Sequence, residues 1–203
     1  MRFEEVYKKF AGTKYYVFSC GDLRAFFPAQ KKATIRQYLC RWKKSGQISS
    51  LRRDLYELTF PCSYDLPDLY LANKIYAPSY VSLETALSHY GMVPEVSMAV
   101  TSITAKPTRR FNNSHGLFIY RSVRTKAFCG YTIEDHNGFP VLIAEPEKAL
   151  TDYFYFKTLR GAKFDAREAR LDKKKIARLD RDKLDAYGRM YGIDMKEVLY
   201  DHL

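Results

Sequence analysis

Between Pro28 and Arg53 the chain carries no carboxylate, although lysine, arginine and glutamine recur throughout the stretch. At 100° per residue, Gln30, Ala33, Gln37 and Lys44 gather on one side of a helix, with Thr34, Arg36 and Arg41 flanking them. Lys32 joins them as a candidate contact. Amide and guanidinium groups spread over one long cationic surface suit hydrogen bonds to base edges and to phosphate oxygens. A solvated helix normally mixes signs to gain i,i+4 pairs, so solubility alone accounts poorly for a face without acids.

The elements that must position this face read from the same segment. Ile35, Leu39 and Trp42, with Tyr38 beside them, form the apolar side of a helix over about Lys31 to Ser45, and Gly46 supplies its stop. Upstream, Phe3, Val6, Tyr7 and Phe10 recur at helical spacing from Arg2 to about Phe10. Ser19 followed by Asp22 is a capping-box start for a short helix presenting Leu23, Phe26 and Phe27, which Pro28 ends. Downstream, Gln47–Leu51 and Leu55–Thr59 alternate around Arg52-Arg53-Asp54, a hairpin pattern. Helix, short helix, cationic helix and hairpin in this order is the winged helix-turn-helix arrangement. Its third helix fits the major groove, and Arg52 and Arg53 at the hairpin tip reach neighbouring phosphates or the minor groove. Winged helices also serve as protein–protein adaptors, which is the main alternative.

Composition agrees with a polyanion partner. The 203 residues carry a net charge of +11, and residues 1–60 hold 13 Lys and Arg against 5 Asp and Glu. Residues 61–203 hold 21 against 18, so most of the excess lies in the first third. No apolar run approaches a membrane span, and the charged N-terminus lacks a secretory signal, so the cytoplasm is expected. Cys20, Cys40, Cys62 and Cys129 are too far apart for zinc-finger spacing and read as reduced core thiols. No metal and no cofactor are expected. Phosphate-binding glycine loops and the nucleophile elbow are absent. Glu84 and His89, five residues apart, fall on different helix faces, while His115 and His136 fall in turns. No catalytic residue is assigned, and a DNA-targeted enzyme with an unrecognised second-domain site is a further alternative.

The fold class expected is α+β, the winged helix being followed by a mixed α/β domain with a helical C-terminus. The boundaries are 1–60 for the first domain, 61–67 for a proline-containing linker and 68–203 for the second domain. In the latter, helices are expected over Asp68–Ile75 and Leu83–Tyr90, the second capped by Ser82 and ended by Gly91. Strands follow over Val96–Thr104, Leu117–Arg121, Thr125–Thr132 and Pro140–Ile143. Glu145-Pro146-Glu147 opens another helix, its acids complementing the dipole. The last 40 residues read as charged helices with Leu184, Tyr187, Met190, Tyr191 and Val198 as core candidates.

Several blocks together resemble a known family. They are Gly46-Gln47-Ile48 with Leu55-Tyr56-Glu57-Leu58, then Leu71-Ala72-Asn73-Lys74-Ile75, then Pro78-Ser79-Tyr80-Val81-Ser82-Leu83-Glu84-Thr85-Ala86-Leu87. His89-Tyr90-Gly91, Val93-Pro94-Glu95 and Ala144-Glu145-Pro146-Glu147-Lys148-Ala149-Leu150-Thr151-Asp152 complete the set. In this order they resemble the AbiEi-like antitoxins, transcriptional regulators paired with nucleotidyltransferase toxins in type IV toxin–antitoxin systems. The resemblance implies a repressor whose N-terminal winged helix binds double-stranded operator DNA of its own operon. It also implies a C-terminal domain that gives antitoxicity, functionally paired with the toxin and independent of any membrane.

Overall fold

The computed structural model describes residues 1–61, 64–95, 97–159 and 170–200. It is a mixed α+β structure with nine α-helices and two β-sheets among those residues, and it divides into two compact units. The first comprises Met1–Leu66 with Asn112–His115, the second Pro67–Phe111 with Gly116–Leu203. No described helix is long and apolar enough to cross a membrane.

In the first unit, α1 (Phe3–Gly12), β1 (Val17–Phe18), α2 (Cys20–Phe26), α3 (Lys32–Lys44), β2 (Ile48–Arg52) and β3 (Leu55–Leu58) follow in order. Local chemistry explains the boundaries. Ser19 caps α2 by accepting from the Asp22 amide while the Asp22 carboxylate accepts from the Ser19 amide at 2.7 Å. Gly46 at φ +70° takes the left-handed conformation just past α3 that a side chain disfavours. The strands form one sheet in the order β1-β3-β2, with β3 antiparallel to both neighbours. Phe3, Val6, Phe10, Phe18, Leu23, Ile35, Leu39 and Trp42 build the core. Phe3 meets Trp42 edge-on at 5.4 Å, which fixes α3 against α1.

The sequence reading misses β1, which is only two residues long and exists because Val17 and Phe18 pair with Glu57 and Tyr56. The stretch read as a linker is in part packed: Tyr64 lies 3.9 Å from Tyr16 ring to ring, and its hydroxyl is 2.7 Å from that of Tyr7. Leu66 is buried.

The second unit contains α4 (Asp68–Ile75), β4 (Ser79–Val81), α5 (Leu83–His89), β5 (Ala99–Thr104), β6 (Arg109–Asn113, its last two residues grouping with the first unit) and β7 (Gly116–Ser122). A 3-10 turn over Thr125–Ala127 precedes β8 (Tyr131–His136) and β9 (Phe139–Ala144). The helices α6 (Pro146–Thr158), α7 (Lys173–Ile176), α8 (Arg181–Tyr191) and α9 (Met195–Tyr200) complete it. Its six-stranded sheet has the order β6-β7-β5-β4-β9-β8. The central strand β4 runs antiparallel to β5 and parallel to β9. Asn73 on α4 joins β4 to β9: its amide nitrogen donates to the Ser79 and Leu142 carbonyls, and its oxygen accepts from the Leu142 amide.

Two expectations need correction here. Thr125–Thr132 is not a strand; the chain turns at Thr125–Ala127, and β8 begins only at Tyr131 where β9 offers a partner. Ser82 stands at the N-cap of α5, but its hydroxyl does not cap the helix. It donates instead to Asp152 at 2.8 Å.

That carboxylate is the centre of a buried polar cluster. Lys148 and Asp152, one turn apart on α6, are both fully buried and form an ion pair. Asp152 also accepts from the Tyr80 and Tyr191 hydroxyls at 3.1 and 2.5 Å, and Lys148 donates to Tyr191 at 2.8 Å. The Lys148 ammonium faces the Tyr191 ring at 4.6 Å. Burial first, and then the Asp152 charge, hold both phenols well above the ordinary tyrosine value of 10. Glu145 and Glu147 extend the anchorage, accepting from Lys183 and Tyr187 and from the Asp180 amide. The acids read as dipole partners therefore also tie α8 to α6.

Candidate nucleic-acid interface

The face opposite Ile35, Leu39 and Trp42 is open. Lys32, Arg36, Gln37, Arg41 and Lys44 on α3 are all exposed, and Thr34 is half-buried at the edge. Gln37, Arg41 and Lys44 form one row at i, i+4 and i+7; Lys32, Arg36 and Lys43 form a second. The ion pairs among the described residues all lie away from this helix. Arg41 lies over the Tyr38 ring at 5.0 Å, and Tyr38 stacks at 5.7 Å on buried Trp42, so the guanidinium is steadied from the core outward.

The helix ends are informative. Arg41, Lys43 and Lys44 in the last turn complement the negative end of the dipole. At the other end Lys31 is the N-cap, without a side-chain cap, and Lys32 follows. Two cations at the positive end cost stability in an isolated helix. They favour an anion placed there instead.

Two candidates, Gln30 and Arg52, sit differently from the sequence reading. Gln30 is not on the helix; it precedes the N-cap in a turn whose amide bonds to Phe27, and it is half-buried. Arg52 belongs to β2, and its guanidinium donates to the Arg53 carbonyl at 2.7 Å. The hairpin tip is Arg53 with Asp54, the latter at φ +61° and accepting from the Cys20 amide at 3.3 Å. Arg53 is exposed there. Burial and then Asp54 raise the Tyr56 phenol above 10, with Arg36 pulling the other way.

Cys40, read as core, is exposed and lies on the same open face of α3, between the two rows. Its helical angle, close to those of Ala33 and Lys44, carried that signal. Cys20 is buried and Cys129 half-buried, while Cys62 lies outside the described residues.

The three histidines among the described residues have close carboxylate partners. His115 is 2.8 Å from Glu57 within the first unit. In the second, His89 and His136 both face Glu134, three donor groups that can hold a metal ion. Spacing along the chain concealed this set, because His89 comes from a different element. Glu84, weighed against His89 from the sequence, pairs with Lys157 instead at 3.4 Å.

Compared with known protein families and with curated proteins, the chain matches no family model and no curated sequence.

Proposed function

We propose that this chain is a DNA-binding transcriptional repressor whose first unit is a winged helix-turn-helix module, with α3 as recognition helix and the β2–β3 hairpin as wing. The observation that carries the reading is the exposed, carboxylate-free face of α3. A helix of 13 residues is roughly 20 Å long and enters a major groove about 12 Å wide. Gln37 and Arg41 are the side chains assigned to base edges. Lys32, Arg36, Lys44 and Arg53 are assigned to phosphates, Thr34 is marginal, and Gln30 and Arg52 act at the rim.

The second unit is assigned antitoxicity toward a nucleotidyltransferase toxin, the role that the AbiEi-like resemblance implies. In support, five polar residues of the matching blocks, Asn73, Tyr80, Ser82, Lys148 and Asp152, are engaged inside the fold. They build a platform that presents its surface, so the unit is read as a binding body of a cytoplasmic regulator and not as an enzyme.

The test uses the full-length chain. Its affinity for the upstream promoter duplex and for a random duplex is measured from about 50 to about 200 mM salt, where released counterions make binding steeply salt-dependent. Tighter binding to the promoter with a steep slope on both supports the repressor. Absent or salt-insensitive binding overturns it in favour of a protein–protein adaptor. Alongside, the triple variant Arg36→Ala, Gln37→Ala, Arg41→Ala is co-expressed with a nucleotidyltransferase toxin, the neighbouring gene being first checked for one. Repression of a promoter reporter is lost while growth protection survives; joint loss from a folded variant would overturn the division of labour.

A further inference from the structure

We propose that His89, Glu134 and His136 bind one divalent transition-metal ion of the zinc class, at a site independent of the DNA-binding reading. Glu134 and His136 are two apart on β8, so the strand's period of two puts both side chains on one face. His89 is the last residue of α5 and reaches the same point. Its Nε2 lies 3.0 Å from Glu134 Oε2, and His136 Nε2 lies 3.5 Å from that same oxygen. All three donor atoms fall within 4.8 Å of one another.

These separations are compatible with a shared ion. Zinc bonds of ~2.1 Å in a tetrahedral shell place neighbouring donors roughly 3.4 Å apart. Two rings with centroids 5.4 Å apart both aim Nε2 at one carboxylate oxygen. One ion would take the Nε2 lone pairs of both rings and the carboxylate oxygen at once. Two imidazoles and a carboxylate with open positions left for water is the donor set of an accessible zinc site, whereas calcium and magnesium select oxygen-only shells.

The carboxylate is also oriented from behind. The Tyr90 hydroxyl lies 3.1 Å from Glu134 Oε1 and 2.8 Å from the Ala144 carbonyl, which turns the other oxygen toward the imidazoles. Such outer partners tune metal sites by fixing the ligand's direction. Side chains of His89, Glu134 and His136 remain 31%, 32% and 21% exposed, leaving an entry path from solvent. Since β8 is an edge strand of the six-stranded sheet, an ion here clips that edge to the end of α5.

The experiment titrates the tag-free, metal-stripped full-length chain with zinc chloride by calorimetry and records the visible bands of a cobalt(II)-loaded sample. One ion per chain is expected, with nitrogen–oxygen cobalt bands and a melting temperature raised by about 5–10 °C at a hundredfold excess over Kd. His136→Ala and the near-isosteric Glu134→Gln lower affinity at least tenfold, and Tyr90→Phe lowers it about tenfold through the lost orientation. No binding to the wild-type chain, wild-type affinity in both ligand variants, sulfur-to-cobalt charge-transfer bands, or equal affinity for magnesium each overturns the proposal.

Discussion

The two units use charge in opposite ways. In the first, the cations of α3 point outward, with no acid in the helix and no ion-pair partner among the described residues. In the second, the most deeply placed charges, Lys148 and Asp152, are shut inside and matched by each other and by three hydroxyls. Residue type does not separate these cases, since a lysine serves in both. Burial and partnership do: an exposed cation is weakly held and open to a ligand, whereas a buried one belongs to the fold.

The largest effect expected from this contrast is on stability. Lys148→Met keeps the volume and removes the cation, leaving Asp152 charged in the core, and should destabilise the chain by about 3–5 kcal/mol. Lys44→Met on the open face of α3 should stay within about 0.5 kcal/mol. Urea denaturation of both variants decides, and similar losses would erase the contrast. Lys148→Met combined with Asp152→Leu should recover part of the loss, because the unpaired charge is then gone.

On DNA the order reverses. Gln37→Ala or Arg41→Ala should each remove about 1–3 kcal/mol of discrimination between promoter and random duplex. Lys148→Met should leave that discrimination intact at temperatures where the variant stays folded. Equal losses on both duplexes for Gln37→Ala and Arg41→Ala would place the base-reading face elsewhere.

The smallest effect sharpens the picture of the hairpin. Arg53→Ala should weaken binding to all sequences alike and lower the salt slope by about 1. Arg52→Ala should change it less, since that guanidinium already bonds to the Arg53 carbonyl. A larger effect at Arg52 would mean that the bond gives way on DNA.

Local signals in the sequence carry much of the first unit. The Ser19–Asp22 box, the Ile35-Leu39-Trp42 stripe and Gly46 act within a turn of where they are read, so α2 and α3 are legible. Strands β1, β4 and β6 are not, being two to five residues long and made strands by distant partners. Ser82 has the right type for a cap, yet Asp152, 70 residues on, takes its hydroxyl. Leu83 then enters α5 at φ +58°, a conformation rare for a bulky side chain and invisible to propensity. Asp152 itself stands out in the sequence only as the end of the Ala144–Asp152 block. Its cation was hidden by the habit that lysines lie outside. The metal-binding set fails for the reason of distance: 45 residues separate His89 from Glu134.

The strand order β6-β7-β5-β4-β9-β8 also bears on timing during synthesis. The helices and sheet of the first unit lie within the first 58 residues, so contacts among them form early on a nascent chain. The central strand β4 gains its parallel neighbour only when β9, through Ala144, has emerged. At ~5–20 residues per second, the 86 residues between these points take about 4–17 s. On each ribosome, therefore, the helices and small sheet of the first unit can pack seconds before the second unit closes, and only Asn112–His115 of that first unit wait for the later chain.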